Sequence, residues 1–270
     1  MKLFIKTGRY FYAIALLVYG VQQFVYADFR NVLLPAWQSK IPLLPVWAYI
    51  FGLALIAAGV AIIFEKKARE VSLILGGTLL VLFCFVHIPY EIIDPKAYDK
   101  HLGSWTSALK ELALSGGAFV IAGTFSADNA SPHHKSAVMK LLEKIIPFGP
   151  IFFSITMTSF GITHFMYAGF VEKMVPSMFP DHLFWTYFAG VALIGSGVFI
   201  ILNIRVKAIG ILLGTMIFLW FILLHIPGAI ANPYVNRGNE LSSAFDALAF
   251  SGTAFVIAFG VRHKEFDKIN

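Results

Sequence analysis

Three ionisable side chains stand where the chain is otherwise apolar: His164, His225 and Asp246. A polar group in such surroundings costs several kcal/mol unless it is satisfied or faces an interior, so each needs a reason to be there. An imidazole beside a carboxylate can relay protons near neutral pH, which is what quinone chemistry requires. Two imidazoles could instead ligate haem iron or copper, which ranks second because no cofactor motif accompanies them, and no metal site is expected. A second group consists of Gln23, His87 and the adjacent Lys110 and Glu111. The plainer reading of either His-Ile-Pro, His87 to Pro89 or His225 to Pro227, is a helix end, with the histidine bonded to a backbone carbonyl released there. The single cysteine, Cys84, excludes an intramolecular disulfide and a CxxC dithiol, and its apolar neighbours mark it as a core residue.

The elements that position these groups follow from composition. Of 270 residues 58% are hydrophobic and only 13% charged, with a mean hydropathy of +0.76. A soluble domain of this size needs a polar exterior that so few charges cannot supply. The net charge of +6 is not arranged as a basic stripe interleaved with aromatics, which argues against nucleic acid as a partner and for the lipid bilayer. Apolar runs long enough to cross a bilayer lie near 9–27, 46–64, 71–90 and 105–125, and again near 147–170, 184–203, 206–227 and 242–261. Their continuity, without period-two alternation, predicts helices, and so an all-α polytopic membrane protein with eight spans. Val25-Tyr26-Ala27 imitates a signal-peptidase site, but an interior copy of the same segment marks the first run as a retained span.

That interior copy belongs to a repeat running through the whole chain. Phe24-Val25-Tyr26-Ala27 answers Phe165-Met166-Tyr167-Ala168, and Trp47 with Gly52 and Gly59 answers Trp185 with Gly190 and Gly197. His-Ile-Pro occurs in both third runs, and Ser115-Gly116 and Ser251-Gly252 are each followed by Ala-Phe-Val-Ile-Ala. The expected organisation is two tandem four-helix bundles, residues 1–127 and 146–270, joined by a cytoplasmic linker at 128–145. An even number of spans per half makes the repeat parallel, which weakens any argument for inverted-repeat transport. The glycines seven residues apart are expected to serve close helix packing.

Basic residues set the orientation. The N-terminus, the segments around Lys66 to Arg69, Lys135 to Lys144 and Arg205 to Lys207, and the tail from Arg262 hold fourteen of the 21 lysines and arginines. Those segments are expected on the cytoplasmic side, with both termini, and Trp47, Trp105 and Trp185 at the opposite interface. At 1.5 Å per residue His164 and His225 then lie about 26 and about 30 Å along their helices, at the depth of Asp246.

The order Gly20-x-x-Gln23 or Gly161-x-x-His164, then Trp47 or Trp185 with a Gly/Ala-rich helix, then His-Ile-Pro, then a Ser-Gly helix, resembles the DoxX family, counted as two units. The resemblance implies a bacterial cytoplasmic membrane protein related to the DoxD-type subunit of a thiosulfate:quinone oxidoreductase, and hence a quinone-like lipophilic ligand and a soluble redox partner. On that reading His225 exchanges protons, Asp246 orients it and His164 contacts a carbonyl oxygen, while Gln23, His87 and Glu111 form the cofactor-binding counterpart in the first half. Gln23 stands where the pattern has histidine. The competing expectation is a non-catalytic scaffold or lipid-binding protein supporting a soluble partner.

Overall fold

The computed structural model describes residues 2–35, 41–93, 103–126 and 136–260, and is helical without strands among them. Eight long helices are present among these residues: α1 (Lys2–Tyr26), α2 (Leu44–Ile63), α3 (Ala68–Ile93), α4 (Gly103–Gly123), α5 (Ala137–Met166), α6 (His182–Ile201), α7 (Val206–Ala231) and α8 (Asn239–Gly260). Six of them, all but α1 and α4, are long and apolar enough to cross a membrane. Helix α1 begins with Lys2, Lys6 and Arg9, and α4 carries Lys110 and Glu111. Helix α4 is buried without interruption from Glu111 to Ala122, so protein rather than lipid surrounds it there and an apolar exterior is not required.

Local chemistry gives the helices their shapes. Pro89 and Pro227 lack an N–H and crowd the carbonyl four residues earlier, in Phe85 and Leu223. Both helices absorb this with a π turn, Phe83–His87 in α3 and Phe221–His225 in α7, and each turn ends on its histidine. Pro147 gives α5 a 3₁₀ break at Ile146–Phe148. The part of α5 before that break, Ala137–Ile145, is amphipathic and packs on α3, with Leu142 against Gly77, so the expected linker is helical where it is described; residues 127–135 lie outside the described part. Between α2 and α3, and between α6 and α7, tight turns use left-handed residues at matching places, Glu65 and Lys67 in one and Asn203 and Arg205 in the other.

The helices pack in an exchanged order. Helix α1 lies between α2 and α8, α4 lies between α3 and α5, and α4 meets α8 at the centre. At the α4–α5 crossing a Cβ on Gly116 would come within 2.6 Å of the Gly149 carbonyl oxygen, and one on Gly149 within 2.8 Å of the Gly116 oxygen. Gly8 and Gly252 make the same reciprocal approach where α1 crosses α8. Only glycine permits backbones this close, which is how helices associate when lipid supplies no hydrophobic contrast. Two bundles each closed on itself were expected; instead the first helix of each set leans on the last helix of the other. The physical reason is that the glycines closing the bundles face across the sets. The glycine stripe of α2 serves the same end, with Gly52 against Gly20 and Gly59 against Ala13.

At the end bearing the lysine and arginine clusters, two arginines close α4. Arg9 donates to Thr124 Oγ1 (2.9 Å) and to the Thr124 carbonyl (2.8 Å), pairs with Glu65 at 3.1 Å, and lies 3.7 Å from the Phe125 ring centre. Arg69 donates to the carbonyls of Ala122 and Phe125 at 3.0 and 2.9 Å and pairs with Glu143 at 3.3 Å. These carbonyls end a helix, where the regular four-residue ladder runs out, so cationic donors serve both hydrogen bonding and the dipole. At the opposite end Asp28 pairs with Arg237, Arg30 donates to the Arg237 carbonyl at 2.5 Å, and Gln22 bridges the Gly238 carbonyl and Ser242 Oγ, both at 3.0 Å. Burial pushes the Arg30 guanidinium below its ordinary range, with the Tyr26 ring beneath it.

Candidate functional site

The first-half group is sealed. Gln23 on α1, His87 at the end of the α3 π turn and Glu111 on α4 each show 0% exposure. His87 Nε2 is 3.3 Å from Glu111 Oε2, without the alignment of a hydrogen bond. The Gln23 amide, both His87 ring nitrogens and both Glu111 oxygens have no hydrogen-bond partner among the described residues. The placing of Lys110 in this group is corrected: successive residues on a helix point about 100° apart, so Lys110 turns away from Glu111 and reaches α8.

There it pairs with Asp246, Nζ to Oδ2 at 2.8 Å, and approaches Ser243 Oγ at 3.4 Å. The other Asp246 oxygen accepts the Tyr19 hydroxyl of α1 at 2.5 Å. Asp246 is 2% exposed and Tyr19 fully buried, so the carboxylate is neutralised and bonded within the protein. The π turn that ends on His225 packs against α8, where the Phe221 and Phe245 rings lie 5.9 Å apart, and His225 itself is half-buried. Among the described residues no hydrogen bond joins either oxygen of Asp246 to an imidazole.

His164 stands on α5, half-buried, with Nδ1 2.7 Å from the Phe160 carbonyl one turn back. A carbonyl only accepts, so Nδ1 carries the proton and Nε2 of the neutral ring presents a lone pair. Its ring stacks on Trp220 of α7, centroids 6.2 Å apart and planes inclined by 21°. Trp220 immediately precedes the π turn that ends on His225. The structure thus brings His164 to Trp220, and Asp246 to Tyr19 and Lys110, with the π turn that ends on His225 packed on the helix carrying Asp246; the three predicted residues are not mutually bonded.

No protein-family model, curated protein or solved structure matches this chain. Sequence reasoning missed Tyr19, Trp220 and the destination of Lys110. One signal was available: Lys110 and Asp246 each stand five residues before the Ser-Gly pair of their helix, so they hold equal places with opposite charge. Tyr19 is one turn before Gln23 on the same helix, on the face that meets the neighbours. Cys84 is the other correction: it is exposed, on the lipid side of the π turn rather than in the core, because the widened turn leaves His87 as the buried residue of that segment. Among the described residues no group of three or more His, Cys, Asp or Glu side chains is disposed to hold a metal ion.

Proposed function

We propose that this chain is a tandem DoxX-like protein of the bacterial cytoplasmic membrane, with eight spans and both termini cytoplasmic, that binds a quinone-type lipophilic molecule in its second half near the outer face. One observation carries the reading: half-buried His164 stacks on half-buried Trp220, which leads into the π turn ending on half-buried His225, whereas Gln23 and His87, the first-half counterparts of the two histidines, are closed off completely. A lipophilic ring entering from the bilayer has a flat aromatic partner and two titratable nitrogens there, and none it can reach in the first half. The tautomer refines the role given to His164. With Nδ1–H donated to Phe160, neutral Nε2 accepts rather than donates, so it suits the hydroxyl of a quinol better than the carbonyl oxygen of a quinone. His225 exchanges the proton, and the Asp246–Lys110 pair beside it fixes the local charge. Bound quinone supplies the redox chemistry, and a soluble redox partner supplies or takes the electrons.

Span count and duplication rest on matched features. Ser115 Oγ donates to the Gly76 carbonyl and Ser251 Oγ to the Gly214 carbonyl, both at 2.8 Å. The π turns, the left-handed turns and the reciprocal glycine contacts also come in pairs. Helices α1 and α4 occupy places equivalent to α5 and α8, which supports all eight as spans.

A second reading, a scaffold or lipid-binding protein, is favoured by the completeness of the Tyr19–Asp246–Lys110 bonds, which suit a helix lock as well as a site. Titrating the reconstituted protein with a short-tail quinol while following tryptophan fluorescence separates the two. Saturable quenching that Trp220→Phe abolishes supports the ligand site. Quenching that is linear in quinol, or unchanged in the variant, supports the scaffold.

A further inference from the structure

The second-half site draws charged and hydroxyl groups from helices of the first half, and the way it does so is specific. Lys110 and Asp246 occupy equal places in the two fourth helices, five residues before Ser115-Gly116 and Ser251-Gly252, and they pair with each other at 2.8 Å where α4 meets α8. A residue near a two-fold axis between equivalent helices would meet its own copy. Two lysines or two aspartates there would repel inside a low-dielectric interior, so the opposite charges admit only the pairing of a first half with a second half.

The pair is also asymmetric in what it touches. Asp246 takes a further hydrogen bond from Tyr19, and the residue equivalent to Tyr19 on α5 is Phe160, which has no hydroxyl. Lys110 is the less buried partner, its side chain 20% exposed against 3% for Asp246, and its other polar contact is Ser243 Oγ on α8. In the second half the π turn that ends on His225 packs on α8, with the Phe221 ring 5.9 Å from that of Phe245, the residue before Asp246, while in the first half His87 faces Glu111 instead.

We propose that the ligand site is a composite of the two halves, in which Lys110 and Tyr19 are positioning residues: they hold the Asp246 carboxylate in one orientation beside His225, and the second half cannot form the site without them. This rests on the ligand reading above. The three side chains do separate jobs. Tyr19 fixes one carboxylate oxygen, Lys110 fixes the other and balances its charge, and the fixed dipole of the pair sets the field at the imidazole. A pairing device alone would need the opposite charges but not the hydroxyl or the direction of the dipole.

Charge reversal separates positioning from pairing. In the full chain, Lys110→Asp or Asp246→Lys alone places like charges together and should reduce the yield of monodisperse protein severalfold. The double reversal, Lys110→Asp with Asp246→Lys, restores opposite charges and should bring the yield back to within about twofold of the unmutated chain. Its affinity for a short-tail quinol should nevertheless remain at least tenfold weaker, because Tyr19 then faces a lysine and the dipole beside His225 is reversed. Tyr19→Phe, which removes one hydroxyl, should weaken quinol binding severalfold and alter its pH profile at unchanged yield. Recovery of full quinol affinity by the double reversal, or unaltered binding and pH profile in Tyr19→Phe, would overturn the composite site and leave the ligand reading standing. If the double reversal does not assemble, Tyr19→Phe decides alone. Failure of the unmutated chain to bind quinol overturns the ligand reading, and this inference with it.

Discussion

Removing His87 and Glu111 one at a time should cost far more than removing them together. Both side chains are fully buried, 3.3 Å apart, and neither has a hydrogen-bond partner among the described residues. Breaking a buried pair by deleting one member strands the other, at about 3–5 kcal/mol in soluble interiors. Two features lower that figure here: the pair is poorly aligned, and polar contacts between membrane helices contribute at most about 2 kcal/mol in measured cycles. The expected loss for His87→Leu or Glu111→Leu is therefore about 2 kcal/mol, the stranded-partner term being the larger part. Replacing both by leucine removes the stranded group, so the double variant should lie within about 1 kcal/mol of the unmutated protein or above it. Reversible unfolding of the reconstituted chain by a denaturing detergent, followed by helical circular dichroism, measures all four corners of the cycle. Losses that simply add, with the double variant about 4 kcal/mol down, would refute this account, because additivity is the signature of independent sites.

Three further outcomes can be checked directly. Single cysteines at Ser131 and Asn239, in a Cys84→Ala background, should react with an impermeant thiol reagent from opposite sides of the membrane; labelling from one side contradicts the eight-span topology. Gly116→Val drives a side chain into the Gly149 carbonyl and should destabilise by about 1–3 kcal/mol or more, whereas Gly195→Val, which meets nothing within 4 Å, should be near neutral by the same unfolding assay. At matched membrane expression, His164→Ala, His225→Ala or Asp246→Asn should weaken quinol binding more than Gln23→Ala or His87→Ala, and equal or greater loss in the first-half set would reject the assignment of the ligand to the second half.

Much of the fold is written in one dimension. Apolar runs and basic clusters each depend on a few consecutive residues, so helix positions could be anticipated; the two His-Ile-Pro segments read as helix ends, but both helices continue past proline through a π turn, to Ile93 and Ala231. Partners across helices are another matter. Periodicity places Lys110 and Glu111 side by side in the chain, but 100° of rotation sends one to Asp246 and the other to His87, and only the packing decides which. Arg9 and Arg69 show the same limit. Their charge is legible as a topology signal, yet their bonds to Thr124, Ala122 and Phe125 depend on where α4 ends relative to α1 and α3. Cys84 is exposed although its neighbours are apolar, because in a membrane helix lipid and core are both apolar and exposure carries no compositional mark.

The exchange of helices explains why the polar groups differ between the halves. With α4 and α8 in contact at the centre, each fourth helix presents residues to both sets, and one position on each meets the other directly. That position must be complementary, and Lys110 with Asp246 is the solution found here. Asp246 is committed to lysine, and the carboxylate of the first-half cluster is Glu111, the residue next to Lys110. The second half has Ala247 at the place of Glu111, so His225 has no counterpart of the His87–Glu111 contact, and its turn packs instead on the helix that carries Asp246. Removing the central pair should therefore disturb His225 while leaving His87 and Glu111 in place, and that difference can be read from the imidazole resonances of the two histidines in the double variant Lys110→Met with Asp246→Leu.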